Sequence, residues 1–586
     1  MLKDKNNDKL QARGIENQFF LFYQLWLELV NAKTLDTYQY KVLYSIKAMD
    51  ELVEVIENRL NGFYSTNHNI KACREETLEI VKNDLVLKEH YGHQYRVLLS
   101  CLGKSYEKPN EQRFLKHKII SLKSTMSKDY FEYLSEDLLE AIKNQEKYKI
   151  VCLTNILVSY CVNVGWSPKA LNDKVQIFKT NGTIEEKWRG FIESLAENQQ
   201  LQYCILINLF LKASSMSIEQ VSQIINSLGV EIISYDDVVS RYPYVSEKLK
   251  KKSYMLVNVT AYDIFSATMQ SLNYISEALN MLSFYNMIDG WNIKDIKFIA
   301  IDLEKKYSKL ILPSDLYGTY DYLDSSSKIF ECTKRIFSLQ NNEKLQNKLR
   351  GVFGYANISK NSLFQEEKYI NIWVALESLA RTDLYTDIIT NVLENVPSAL
   401  CIRYIYRLIR NFCEDLLRCE VTLEEINIDL LQEEKGELVT SVINVFRGDN
   451  YEVLKEKCKV SELLEYRCDE LQKILVDGKA TWQKIVMHHK RIDWQLQRLY
   501  RIRNEIAHSA LQERTSLLIY IEHLFDYLAT FVSEIVTRVD ENGMENIEQV
   551  FMNIQDNYNE FDSICSEAKG KVESAEVLPK GIIALI

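Results

Sequence analysis

Leu499-Tyr500-Arg501-Ile502-Arg503-Asn504-Glu505-Ile506-Ala507-His508 is the stretch whose phase decides how the C-terminal half folds. At about 100° per residue, Leu499, Ile502, Ile506 and Ala510 share one face of a helix, which has to be the packed one. Arg501, Asn504 and His508 then form a second stripe, well over a right angle away, and are expected to point outward. Arg503 lies about 140° from His508, so its long side chain must curl across the surface if both are to meet one ligand. A permanent cation, a carboxamide and an imidazole within two turns form a set that can hold an anion and move a proton near neutral pH.

The helical period extends on both sides of this stretch. Residues 481–512 and 515–539 read as the last two strong helices, preceded by helices over 320–335, 343–353, 366–380, 400–419 and 461–476. At the other end, 16–60 reads as two amphipathic helices opening on Phe19, Phe20, Phe22, Tyr23 and Trp26, and helical patterning continues to about residue 228. Gly229 reads as a helix stop and 230–235 as a short strand. Character changes at Lys250-Lys251-Lys252. Thr260-Ala261-Tyr262-Asp263 then resembles a capping box, before a helix that buries Phe265, Met269, Leu272, Ile275, Leu279 and Leu282. The expectation is an all-α or nearly all-α protein with at most a few short strands. It divides into an N-terminal helical sensor or regulatory region (1–252), a helical bundle (253–545) and a tail (546–586) whose apolar end, Gly581 to Ile586, docks or disorders.

Composition narrows the function classes. The chain has 586 residues, 46% of them hydrophobic, with only 6 Pro and 18 Gly, so long helices and a large core are expected. A net charge of −11 argues against coating nucleic acid along the whole surface, and any phosphate backbone must meet a local basic patch. The 12 cysteines show neither a C-x-x-C pair nor regular spacing, and read as buried thiols in a reducing compartment. The start lacks the apolar core of a secretory signal, and the late apolar helix from Leu517 carries Glu522, His523, Asp526 and Glu534, so no membrane span is expected. The expected location is cytoplasmic.

Arg503-Asn504 followed by His508 resembles the Arg-to-His signature of HEPN domains, whose active members cut single-stranded RNA without a metal, usually as dimers. Tyr369-Ile370-Asn371-Ile372-Trp373-Val374-Ala375-Leu376-Glu377-Ser378-Leu379 is similar to the Trp-x-Ala-Leu-Glu-x-Leu helix found upstream of that signature in ApeA-like HEPN proteins of bacterial anti-phage defence. The resemblance runs from about Val257 to about Arg538. It implies a ribonuclease in which Arg503 holds the scissile phosphate, Asn504 orients phosphate or imidazole, and His508 moves the proton of a ribose 2′-hydroxyl or of the leaving 5′-oxygen. By spacing alone Arg501 also qualifies as the catalytic cation. A homodimer would supply the second imidazole, and the products would carry 2′,3′-cyclic phosphate and 5′-hydroxyl ends. Host or phage RNA, including tRNA, is the implied substrate, and a phage-derived protein the implied trigger. The alternative is a non-catalytic HEPN scaffold that binds RNA or a partner protein.

Between Lys479 and Arg514 the chain concentrates cations, with Arg498, Arg501, Lys490 and Arg491 the expected substrate contacts. Trp482, Trp494, His488 and His489 are interleaved, either as base-stacking platforms or as core. A second row, Arg403, Arg407 and Arg410, either extends an RNA groove or pairs with Glu414 and Asp415. Glu377 is expected to support the active helix. His90 and His93 have metal-ligand spacing but no third ligand nearby, and no metal site is expected. His523 reads as a core histidine. Glycine-rich phosphate loops and a nucleophile elbow are absent, so the sequence offers no cofactor site.

Overall fold

Apolar positions at helical spacing dominate the chain, and the computed structural model is accordingly mostly α. It describes residues 6–567 except 32–40, 64–66, 197–199, 209–210, 214–217, 292–296, 317–327, 339–342, 432–434, 509–516, 543 and 545. The N-terminal helices include α1 (Phe20–Leu29), α2 (Ser45–Leu60), α3 (His68–Lys82) and α4 (Lys147–Val164). On α1 the aromatic cluster is interior: Phe22 and Trp26 pack edge-on against Phe191 at centroid distances of 5.7 and 5.0 Å. The Trp26 indole donates to the Leu171 carbonyl at 2.9 Å.

Next comes a sheet built from both sides of residue 252. Its strands are β1 (Leu201–Ile207), β2 (Leu211–Ala213), β3 (Val230–Ile233), β4 (Tyr254–Ala261), β5 (Ile288–Trp291), β6 (Phe298–Asp302) and β7 (Tyr307–Ile311). Five of them form one antiparallel sheet in the order β3-β4-β1-β6-β7, and β2 pairs with β5 separately. The strand expected from residue 230 is β3. The domain boundary expected at 252/253 falls between β3 and β4, two hydrogen-bonded neighbours.

Period-two alternation gives the sheet two buried faces. Tyr203, Ile205 and Ile207 of β1 turn toward α5 (Ile264–Phe284), while Cys204 and Leu206 meet Val238, Val245 and Tyr254 on the other side. The cap of α5 sits three residues later than the spacing suggested. Asp263, expected as the box's closing residue, is itself the N-cap, with Oδ1 accepting from the Phe265 and Ser266 amides at 2.8 and 3.0 Å. The same carboxylate accepts from the Ser167 amide and hydroxyl, each at 2.8 Å, and so fastens the sheet to the N-terminal helices.

The C-terminal helices include α6 (Glu343–Asn361), α7 (Gln365–Ala380), α8 (Ile388–Ile402), α9 (Tyr404–Arg418), α10 (Glu462–Val476), α11 (Gly478–His508), α12 (Leu517–Asn542) and α13 (Ile547–Glu567). One hydrophobic core runs through them and the N-terminal helices together, from Leu10 to Cys565. Polar ties reinforce it: Gln24 on α1 donates to Asn7 Oδ1 at 2.8 Å and accepts from the Leu463 amide at 2.9 Å, capping the start of α10. Part of the expected tail is α13, which buries Val550, Phe551 and Ile554; Gly581 to Ile586 lie outside the described residues. Among the described residues no helix is long and apolar enough to cross a membrane.

Candidate functional site

The candidate residues lie on the last turns of α11. Leu499 and Ile502 are fully buried, as their phase required. Beneath them lies α7, whose Tyr369 hydroxyl donates to the Leu499 carbonyl at 2.6 Å and whose Trp373 ring lies 5.9 Å from that of Tyr500. The Trp373 indole donates to Glu377 Oε2 at 2.7 Å, one turn along the same helix. Glu377 therefore fixes the ring on which Tyr500 rests.

Arg503 and Asn504 are half-buried neighbours at this end. Arg503 Nη1 donates to Asn504 Oδ1 at 3.1 Å, while Nε is enclosed without a hydrogen-bond partner among the described residues. The guanidinium is thus held at one corner and unsatisfied at another, and an unsatisfied buried donor is costly to leave. His508 is the last residue of α11, five positions on; its side chain, like Arg514, lies outside the described residues.

Arg501 corrects the outward-stripe expectation. It is 4% exposed, and Nη2 is bonded to Glu51 of α2. Arg498, also 4% exposed, donates through Nε to both Glu51 oxygens at 2.9 Å and is bonded through Nη2 to Glu76 of α3. Two carboxylates face two guanidiniums in a dry seam between the N-terminal helices and α11. Burial raises the Glu76 carboxyl from its ordinary value, against the pull of the Arg498 charge. Both arginines were expected to touch substrate; in this structure neither is open to one. The apolar period marks which face of α11 packs on α7 but carries no sign that its polar face is covered by α2 and α3.

The remaining patch residues divide. Lys490 and Arg491 are exposed. They lie about 18 to 20 Å along the axis from Arg503, at 1.5 Å per residue, too far to share its phosphate. Trp494 is buried, and the Trp482 indole donates to Asp562 Oδ1 at 2.9 Å. His488 stacks on Tyr404 at 3.6 Å and His489 on Tyr558 at 4.6 Å, so neither ring offers a free face on that side. Burial lowers His489 to about 4, with Asp562 opposing. In the second row, Arg403 pairs with Glu534 at 2.8 Å, Arg407 donates to both Asp526 oxygens at 3.0 and 2.9 Å, and Arg410 pairs with Glu414 at 3.6 Å. Two of the three arginines tie α9 to α12 rather than pairing along their own helix.

His90 stacks on Tyr133 at 4.1 Å and bonds Asp137 at 2.8 Å. Among the described residues no three His, Cys, Asp or Glu side chains are grouped to hold a metal. His523, expected as a core histidine, is half-buried with its ring bonded to Gln495, and its enclosure lowers it to about 4. Glu51 and Glu76 had no signal in the sequence: they lie more than 400 residues from their partners and sit on ordinary amphipathic helices. Comparison of the chain with protein-family models, curated proteins and solved structures returns no match.

Proposed function

We propose that the chain is a metal-independent endoribonuclease of the HEPN type, with Arg503, Asn504 and His508 as its catalytic residues. The observation that carries this is Arg503 itself: a half-buried guanidinium with one corner fixed by Asn504 and a donor without a partner among the described residues, about one and a half turns before an imidazole-bearing residue. A fork held in this way suits a phosphate oxygen, whose charge grows in the pentacovalent transition state. His508 then takes the 2′-hydroxyl proton or protonates the leaving 5′-oxygen, and the equivalent residue of a second protomer performs the other transfer. The bond formed is 2′-oxygen to phosphorus and the bond broken is phosphorus to 5′-oxygen, which yields a cyclic phosphate and a 5′-hydroxyl.

Silence before triggering fits the acidic seam. Glu51 and Glu76 pair with Arg498 and Arg501, so the N-terminal helices lower the positive potential that a single strand of RNA meets. A phage-derived protein that drew α2 and α3 away would free both guanidiniums, and the resulting RNA cleavage would limit phage replication.

The test is incubation of purified protein with total RNA and synthetic single strands, in chelator, followed by mapping of new 5′-hydroxyl ends. Wild type should generate them; Arg503→Ala and His508→Ala should reduce the rate at least about hundredfold, the usual cost of losing a transition-state donor or a general acid or base. Cleavage that survives both substitutions rules out this assignment. RNA binding without cleavage by wild type would instead favour the scaffold alternative.

A further inference from the structure

Tyr500, Arg503 and Asn504 stand at i, i+3 and i+4 on α11 and so are neighbours on one side of the helix. All three are half-buried. Arg503 Nη1 donates to Asn504 Oδ1 at 3.1 Å, and Arg503 Nε has no partner among the described residues. Among those residues neither the Asn504 amide nitrogen nor the Tyr500 hydroxyl is hydrogen-bonded, and neither atom is sealed from water. The triangle therefore offers free donors and one aromatic ring, the complement of a phosphate with a base beside it.

The other rings of the basic stretch are engaged. Trp494 is buried, Trp482 donates to Asp562 Oδ1 at 2.9 Å, and the imidazoles of His488 and His489 lie on Tyr404 and Tyr558. Tyr500 has its packing partner in Trp373, at 5.9 Å between centroids with 38° between the planes, and stays partly open.

That partner is rigid. Trp373 is fully enclosed, and its indole N–H donates to Glu377 Oε2 at 2.7 Å. Next to Tyr500 in the chain, the Leu499 carbonyl accepts from the Tyr369 hydroxyl at 2.6 Å, which ties the same turn of α11 to α7. The phenol is thus held from behind through its ring and from below through its backbone. A ligand that lies on it has little side-chain freedom left to remove, so the contact gains more than it would on a loose ring.

We propose that Tyr500 is the base platform of the ribonuclease site, stacking a nucleobase next to the scissile phosphate that Arg503 and Asn504 hold. This rests on the ribonuclease reading of Arg503 and His508. Side chains three residues apart on a helix have Cβ atoms about 5 to 6 Å apart, within reach of one nucleotide's base and an adjoining phosphate. A base inside a duplex is stacked on both sides and cannot lie on a phenol, so the ring selects strands that are unpaired at the cut. Every base has a face to stack, so the selection is for an available base rather than for one identity.

The test uses full-length protein, chelator and a single-stranded oligonucleotide with one cleavable ribonucleotide, in which the base on either side of the cut is replaced in turn by an abasic sugar. For wild type, one of the two abasic strands should show KM raised about tenfold, the usual loss for a stacked base. Tyr500→Leu should raise KM for the intact strand by a similar factor and erase the abasic penalty, while Tyr500→Phe, which keeps the ring, should behave as wild type. Tyr500→Met carries the comparison if Tyr500→Leu does not fold. Cleavage by wild type without a penalty on either side, or a penalty that persists in the folded Tyr500 variants, overturns the stacking and leaves the ribonuclease reading standing. A uniform loss on all strands with the penalty intact likewise overturns it, since Tyr500 then only supports α11. Failure of wild type to cut any strand removes the ribonuclease reading and the base platform together.

Discussion

Arg503 differs from its neighbours in what satisfies it. Arg498 and Arg501 are neutralised inside the protein, whereas the partner of Arg503 among the described residues is an amide oxygen, which accepts a hydrogen bond but carries no charge. Lysine at 503 keeps the charge and loses the fork, so Arg503→Lys should retain RNA binding and cut about a hundredfold more slowly in single-turnover assays. Equal losses of binding and rate would show that the residue only attracts the strand. This contrast was half legible in the sequence. Helical phase correctly buried Leu499 and Ile502, but it also sent Arg501 outward, because a residue off the apolar face looks solvated unless its partner is known. The partner, Glu51, lies across the fold and resembles any other acid on an amphipathic helix.

At the scale of the element, α11 is held on one side by apolar packing and on the other by ion pairs, and the two respond differently to mutation. Glu51→Ala removes the carboxylate shared by Arg498 and Arg501 and leaves them buried, so urea denaturation should show a loss of about 3 to 5 kcal/mol. Glu57→Ala, breaking the exposed pair with Lys116, should cost under about 1 kcal/mol. The histidines of α11 and α12 give the molecule an acid-sensitive component. His489 and His523 titrate near 4 when folded, and an unfolded imidazole near 6.5. Between those values the unfolded chain binds protons that the native protein refuses, so this contribution is intact above about pH 6.5 and lost as the pH falls toward 4. His489→Phe should therefore flatten the dependence of stability on pH in that window; an unchanged slope would mean that His489 is protonated in the native state. Helices such as α7 and α10 were legible because their apolar positions recur with the helical period. Of the sheet β3 was legible and the rest was not, because β1 and β6 are buried on both faces and lack the alternation that marks a half-exposed strand.

At the scale of the whole molecule, the helices on the two sides of residue 252 share one hydrophobic core. Leu10 through Leu195 share a core with Cys332 through Cys565, and the sheet between them has its own. Removing the first 252 residues would take away β1, the strand lying between β4 and β6, and leave both with unpaired edges. It would also strip α1 from α10, uncovering Leu463 and the start of that helix. A fragment beginning at residue 253 should consequently aggregate rather than act as a released nuclease, because exposed strand edges and a bisected core favour association. On the proposed ribonuclease reading, activity is released by loosening the seam within an intact chain. Expressed at equal levels, the double variant Glu51→Gln/Glu76→Gln should bind single-stranded RNA more tightly than wild type at low salt and be more toxic to its host. Adding His508→Ala should abolish the toxicity and leave the tighter binding. If the double variant folds and does neither, the acidic seam is a structural joint and not the restraint on the proposed activity.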